Sequence, residues 1–468
     1  VNYSQKQLVL EFLQFETDLD LINWNINSIP IWELIRFKVF NNINNQLVNK
    51  SFFKVKQKSK ESILRSLLSF IQYCNSNPLR YIKELEYLVI NHPRRRLING
   101  VYLDVYTDTF LSELDKNYIV IEGYSDFSHH KPTSTKDLYY FDFVDFPNLV
   151  LSKLSKFYKL DKITKCKVLE IEQKIKEIWG LPNINILDEV KKNILRHKFL
   201  YPKHKRTLLK LKPNKIVCVV SYYYNAQIIT QVAKELNIPV IELQHGTVGK
   251  YHIGYNYPSN IIAKTFPDYF FSWGDFWVEN VRLPIPDNNI LKIGFPYIDL
   301  HKKNDNKVKS NIILVLSQGR DDIAELTSKL SELLLDYRFI FKAHPREYGT
   351  IGNRYPTLAE NKNIEIIENN NTLLYDLFCT SKYVIGVNST AIIESLAFKC
   401  NVIIAKYAGW EYFEYLLGSE HIYISDSADD IYSYIMNGNI KTRNNNISDY
   451  FFRDGAKERL LETIKDIR

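Results

Sequence analysis

From Lys215 onward the chain alternates short, almost wholly apolar runs with amphipathic stretches, and that rhythm limits the possible folds more than any other feature. KIVCVVSYY (215 to 223) has the β-branched content of a strand buried on both faces. NAQIITQVAKELN (225 to 237) fits an amphipathic helix, and IPVIELQHG (238 to 246) is the next strand with its exit loop. That is a βαβ unit. YFFSWG at 269 and LKIGFP at 291 predict further short strands. The polar, charged stretch from Asp299 to Ser310 reads as an interdomain linker. Beyond it, NIILVLSQG (311 to 319), YRFIFKAHP (337 to 345), NIEIIE (363 to 368), KYVIGVNS (382 to 389) and NVIIAKY (401 to 407) are strand candidates at α/β spacing. Helical stretches such as IAELTSKLSELLLD and TAIIESLAFK lie between them, so a mostly parallel, doubly wound sheet is expected.

Upstream the pattern changes. Residues 1–85 carry Leu8, Phe12, Ile31, Leu34, Ile35 and Val39 near helical spacing, and the region from about 150 to 210 returns to it with many lysines. Between them, Tyr87 to Ile90 and the run from Tyr118 read as strands. A chain of 468 residues exceeds one hydrophobic core. The expected organisation is a helical, partly basic region (1–85), a Rossmann-like domain with a helical insertion (86–300), a second Rossmann-like domain (308–445) and a C-terminal helix (446–468).

Composition narrows the function classes. With 45% hydrophobic and 24% charged residues the chain is of the folded, globular type. Its longest apolar stretches fall short of the roughly 18 to 20 residues of a membrane span. The opening VNYSQKQLVLEFLQ lacks the features of a secretory signal, so a cytoplasmic protein is expected. Five scattered cysteines, none in CxxC spacing, predict core residues rather than disulfides or a zinc site. The net charge of +8 is mild, but Lys50 to Arg65 carries six basic residues against one Glu, interleaved with Phe52, Phe53, Ile63 and Leu64. That is the composition of an arm for an anionic membrane surface, or of a solvated helix face. No motif for nucleic acid accompanies the charge.

Ligands of open parallel sheets bind beyond the carboxyl ends of the strands, so the residues that end each strand are the candidates. His245, between Gln244 and Gly246-Thr247, could act as a general base, or be tied to the loop backbone. Gly246 would let a substrate approach the backbone. His92 and Arg94 end the first strand and, with Gln244, Gly246 and Thr247, are acceptor-side candidates. On the other side, Lys342, His344 and Arg346, with Pro345 stiffening their loop, suit a phosphate leaving group, or form a basic surface turn. Ser389 and Thr390 begin a helix, where they cap it and could also help hold phosphate. Glu394, one turn further in, could reach a ribose, or be solvated or serve in capping. Ser317, Gly319 and Arg320 follow a strand and could cradle phosphate; Asp321 and Asp322 suit the helix N-terminus that follows them. Asp104 and Asp108, four apart, are carboxylates for acceptor activation, or a solvated helix face.

These stations resemble those of bacterial GT-B glycosyltransferases and polymerases of surface polysaccharides. QHGT (244 to 247) followed by IGFPYID (293 to 299) is similar to motifs of the CDP-glycerol glycerophosphotransferases, which implies His245 as the base. HP (344 to 345) with ST (389 to 390) looks like the paired CMP-holding motifs of bacterial sialic acid transferases. Gln244 and Tyr297 depart from the first family, and the acidic catalytic motif of the second is not evident. The resemblance, over about 215 to 410, implies two Rossmann-like domains facing across a cleft. It implies transfer from a nucleotide-activated sugar, CMP- or CDP-linked by preference, without a metal, to a capsule, lipopolysaccharide or lipid-linked glycan acceptor at the inner face of the membrane. A glycerol- or ribitol-phosphate transferase, a non-catalytic glycan-binding protein and a sugar-nucleotide epimerase are the other readings of the same architecture.

Overall fold

The computed structural model describes residues 3–48, 60–81, 84–114, 117–125, 128–302, 308–369, 372–419, 422–438 and 446–467. The first strands are β1 (Tyr87–Asn91), the hairpin β2 (Arg96–Ile98) and β3 (Val101–Leu103), β4 (Tyr118–Glu122) and β5 (Leu138–Tyr140). Then come β6 (Lys215–Val219), β7 (Val240–Leu243), β8 (Tyr269–Ser272) and β9 (Ile290–Lys292). Apart from the hairpin, these form one seven-stranded sheet in the order β5-β4-β1-β6-β7-β8-β9. The second sheet has six strands: β10 (Ser310–Leu316), β11 (Arg338–Lys342), β12 (Ile364–Ile367), β13 (Ser381–Gly386), β14 (Asn401–Ala405) and β15 (Ile422–Ser425). Their order is β12-β11-β10-β13-β14-β15, and the ladders of both sheets are parallel.

Parallel strands need crossovers, and the helices that make them cover both faces, which is why β1, β6 and β7 are buried along their whole length. Each Val or Ile so buried contributes about 1.5–3 kcal/mol relative to exposure. The expected strands are all present. Two edge strands, β5 and β15, and the hairpin were not expected. Three of the cysteines are core residues as anticipated, but Cys166 is exposed and Cys74 only half-buried.

The N-terminal helices Gln5–Asp18 and Ile31–Leu47 pack with Lys162–Trp179 and the long helix Ile186–Leu211 around Phe12, Trp32, Ile171 and Ile194. At its centre the Arg36 guanidinium is bound to Glu16 through two bonds of 2.8 Å and lies 4.0 Å over the Tyr257 ring. The proposed membrane arm falls mainly on residues 49–59, outside the described residues.

The chain's end returns to the first sheet. Leu460, Ile464 and Ile467 of the last helical segment pack against β1, β6 and β7, and Lys215 Nζ donates to the carbonyls of Ile464 (2.9 Å) and Lys465 (3.1 Å). Gly294 makes this return possible: a Cβ there would lie 2.2 Å from the Arg453 carbonyl oxygen. Trp273, Trp277, Phe295, Phe451 and Phe452 form one core that continues into the second sheet's Leu314 and Val384.

Candidate active site at the facing strand ends

On the first sheet the site is built around β7. Its Glu242 is fully buried, with Oε1 accepting the Ser221 backbone N–H (3.1 Å) and the Tyr255 hydroxyl (2.7 Å). Tyr255 Oη lies 3.1 Å from His245 Nδ1, and Tyr222 Oη lies 3.2 Å from His245 Nε2. A phenol has a single proton. With Tyr255's given to Glu242, its oxygen can only accept from Nδ1–H, which leaves the lone pair on Nε2, facing Tyr222. The Tyr106 hydroxyl holds the His245 carbonyl (2.7 Å), and the His92 ring stacks beside the imidazole at 6.3 Å.

Burial holds His245 well below the usual imidazole range, and His92, His252 and Arg94 press in the same direction. Burial also lowers His92, with help from Arg94, and His252, each to about 4. It pushes Glu242 up to about 7. At neutral pH the site therefore offers neutral imidazoles, and as Glu242 ionises the His245 lone pair comes to lie on Nε2, where a general base can use it. Gly254 permits this packing, since a Cβ there would come within 2.8 Å of Tyr222 and 2.9 Å of His252. A Cβ at Gly246 would meet nothing within 4 Å, so that position fronts open space.

On the second sheet the loops after β10, β11 and β13 converge. His344 opens a short turn, its Nδ1 accepting the Arg346 N–H (3.2 Å). Burial lowers its pKa, and Arg346 and, from the first domain, Arg94 add to this. Arg94 thus acts electrostatically on both His245 and His344. Ser389 accepts the Ala391 N–H (3.3 Å) as a cap. Its helix, Thr390–Glu394, has five residues, too short for much of a dipole, so the phosphate role expected of that terminus rests on the two hydroxyls. Beside it, Arg96 of the first domain lies over the rings of Tyr297 (5.6 Å) and Tyr375 (6.0 Å), within Coulombic reach of Glu394.

Several expected site residues are committed elsewhere. Asp104 and Asp108 belong to a buried network: Asp108 accepts from Ser134 and Thr135 (both 2.6 Å) and from Arg95 (3.3 Å), and Asp104 accepts the N–H groups of Tyr106 (2.9 Å) and Thr107 (3.0 Å). Arg95 is bound in turn to Glu122 (2.7 Å). Gln244, 1% exposed, bridges Trp273 N–H and the Gly246 carbonyl, both at 2.8 Å, and so shapes the loop rather than facing a substrate. Ser317 Oγ and Gly319 N donate to the Glu347 carboxylate. Arg320, also buried, binds Asp322 and the Ala408 carbonyl (2.7 Å). Lys342 donates to Tyr348 (2.8 Å) and the Asn369 carbonyl (2.9 Å), behind the His344 turn. Glu394 is buried and accepts from Tyr375 (2.6 Å).

Sequence reasoning missed Glu242, Tyr255, Tyr222 and Glu347. Glu347, 3% exposed, takes the N–H groups of His344 (2.9 Å) and Gly319 (3.1 Å) together with Ser317 Oγ, and so ties the β10 and β11 loops to each other. Its signal was present, because a Glu three residues after a capping residue is the spacing of a capping box.

The sequence profile of the LIC12162 family transferases matches residues 140–404, more than half of the chain. The chain belongs to that family. The LIC12162 match spans β5 to β14 and so includes His245, His344 and Ser389. Among solved structures, UDP-GlcNAc 2-epimerase from Methanocaldococcus jannaschii is similar at 16% identity and a TM-score of 0.50, covering 81% of this chain and 99% of that one. UDP-GlcNAc 2-epimerase from Neisseria meningitidis follows at 11% identity and TM-score 0.49, over 82% and 100%. Acinetobacter baumannii MurG aligns at 10% and 0.46, over 82% and 100%. No curated protein matches the chain. The first likeness is one of fold: this transferase is a two-domain GT-B protein, with Rossmann-like sheets on either side of a cleft and an added helical N-terminal region. Among the described residues no helix is long and apolar enough to cross a membrane.

Proposed function

We propose that the protein transfers a glycosyl unit from a nucleotide-sugar donor to a hydroxyl of a surface polysaccharide or lipid-linked glycan. The observation that carries this reading is the neutral His245, oriented through Tyr255 by the buried Glu242, at a strand end that faces the second domain. In the step itself His245 Nε2 takes the proton of the acceptor hydroxyl, displacing the Tyr222 contact. The acceptor oxygen then bonds to the anomeric carbon as the bond from that carbon to the phosphate oxygen breaks. The electron pair leaves on the nucleotide phosphate, which His344 and Arg346 hold together with the Ser389 and Thr390 hydroxyls. His92 and Arg94 line the acceptor side. The transferase family and the nucleotide-sugar enzyme that shares the fold support this class. A CMP- or CDP-linked donor remains the preferred one, on the strength of the sequence motifs.

The test is calorimetric titration of a panel of nucleotide sugars, chosen by thermal shift, against the protein and His344→Ala. The substitution should abolish donor binding, and unaltered binding would overturn the assignment. Phosphorus in the product would point instead to phosphodiester transfer, and conversion of donor with no acceptor present to epimerisation. Attachment to the membrane through residues 50–65 is part of the proposal, tested by co-sedimentation with anionic vesicles.

A further inference from the structure

A groove of about 690 Å³ opens beside His245, on the flank of the first domain. Its floor is Tyr222, Tyr223 and Tyr224 at the end of β6, and its walls come from the helices Ile31–Leu47, Asp142–Lys153 and Ile186–Leu211. The volume falls within the roughly 300–1,000 Å³ of ligand sites. None of the candidates read from the sequence lies in it.

The walls are chemically uneven. Lys38, Lys153, Lys156, Lys192 and Arg196 face the groove against only Asp188 and Glu189. Lys192 and Asp188 are paired at 2.5 Å, so the remaining cations outnumber the remaining carboxylate. The Arg196 guanidinium lies over the Tyr224 ring at 4.4 Å, with Nη1 donating to Asn193 at 2.9 Å. Its Nε, and the hydroxyl of Tyr223, are buried without a hydrogen-bond partner among the described residues. Asp145 also acts electrostatically with Arg196, and its Oδ1 accepts from Tyr224 (2.9 Å) and Asn225 (2.8 Å). The tyrosines of the floor offer apolar contact and hydroxyls to a sugar, while the excess of cations over carboxylates and the partnerless Arg196 Nε call for anionic groups between them.

The floor also leads to the chemistry. Tyr222 lines the groove while its hydroxyl contacts His245 Nε2, and Phe37 from the N-terminal region packs on its ring at 4.5 Å. Tyr222 is thus shared by the groove and the base, and a saccharide lying along the tyrosines comes within one side chain of His245.

The geometry points to this groove as an acceptor subsite for an acidic saccharide, a chain carrying carboxylate or phosphate groups. The inference rests on His245 as the acceptor base. It excludes the donor, whose phosphate is assigned to the opposite domain. The acidic saccharide lies across the tyrosines, its anionic groups meet Arg196 and the lysines, and its terminal hydroxyl replaces Tyr222 at Nε2.

The experiment titrates the full chain with an acidic oligogalacturonate and with a neutral malto-oligosaccharide of equal length, with inorganic phosphate as a third probe. The acidic chain should bind at least about ten-fold more tightly than the neutral one, and less so as salt is raised. Arg196→Gln should weaken it by about ten-fold or more. The double substitution Lys153→Glu and Lys156→Glu, on exposed residues where folding is not at stake, should do the same. Nucleotide-sugar binding should stay within about two-fold in both variants, since neither touches the donor loops. Equal binding of the two oligosaccharides, no binding of either, variants indistinguishable from the parent, or phosphate alone binding as tightly as the acidic chain would each overturn the subsite. Acidic-chain binding with no nucleotide sugar bound by the parent protein would instead uphold the groove and remove the transferase reading of His245.

Discussion

Substituting Glu242 by Gln keeps the volume of the side chain and removes its charge. Two bonds, 2.7 Å to Tyr255 and 3.1 Å from Tyr255 to Nδ1, put that charge within about 6 Å of the imidazole. At an effective dielectric near 20, a carboxylate at about 6 Å favours the imidazolium by about 3 kcal/mol, or roughly two pK units of base strength. Glu242→Gln should therefore lower turnover by about 10- to 100-fold above pH 7, as the Brønsted slope of a general base dictates, with donor affinity unchanged. The tautomer gives a readout that needs no substrate. Above the Glu242 pKa of about 7 the carboxylate accepts from Tyr255 and Nδ1 keeps its hydrogen. Below it, the protonated carboxyl can donate to Tyr255, which then donates to Nδ1 and moves the ring hydrogen to Nε2. Proton–nitrogen correlation spectra of the histidine rings should show this exchange near pH 7 in the parent, none of it in Glu242→Gln, and loss of the preference in Tyr255→Phe. Stability carries the opposite sign. Glu242 is raised from its ordinary 4.5 to about 7, so its contribution is complete below about 4.5 and is lost as pH rises through about 7. Above pH 7 the Gln variant should be the more stable by on the order of 3 kcal/mol in urea unfolding. An unchanged tautomer profile together with an unchanged pH dependence of stability would refute the relay.

Three further perturbations follow from the same contacts. Arg36→Met leaves the buried Glu16 without its partner and should cost about 3–5 kcal/mol by denaturant unfolding, because an unpaired buried charge is what remains. Glu347→Ala removes the acceptor of His344 N–H, Gly319 N–H and Ser317 Oγ; it should destabilise the second domain by about 3 kcal/mol and weaken nucleotide-sugar binding in calorimetry. Gly254→Ala forces a methyl group against Tyr222 and His252, and should lower the melting temperature by an amount equivalent to about 1–3 kcal/mol while perturbing the His245 ring signals.

The strands that were legible are those with a sustained β-branched run between turn residues, such as KIVCV and NVIIA. The two edge strands were not, for a common reason. Leu138–Tyr140 is three residues at the head of a longer aromatic stretch, and Ile422–Ser425 is half-exposed, so neither shows the period that distinguishes a strand. In the site, the legible residues were the polar ones immediately after an apolar run, His245 and His344 among them. Glu242 sits inside such a run, and Tyr255 reaches it only because the ten residues after His245 fold back. No local pattern encodes that return. The network around Asp104 and Asp108 was hidden for the same reason: their partner Arg95 stands in the polar loop after β1, and a spacing of four says nothing about a cation brought in from another element.

The N-terminal helices show how far this limit extends. Read as sequence they are amphipathic and partly basic, with no tie to the chemistry. In the fold, Arg36 donates to the carbonyls of Ile253 and Asn256, the two ends of the turn that carries Tyr255. Glu33 accepts the N–H groups of Lys264 (3.2 Å) and Thr265 (2.8 Å), pinning the far side of the same loop. Phe37 packs on Tyr222 and, at 5.8 Å, on His252. The same helices touch the second domain, where Lys6 pairs with Glu414 at 3.0 Å and Gln5 donates to Tyr412 at 3.2 Å. A loop of this length, free in solution, would place Tyr255 beside His245 only a fraction of the time, and each unmade placement is lost base strength. The helical region acts through those carbonyls and amides, so its contribution to the placement of Tyr255 beside His245 is carried by backbone atoms that no side-chain motif can reveal.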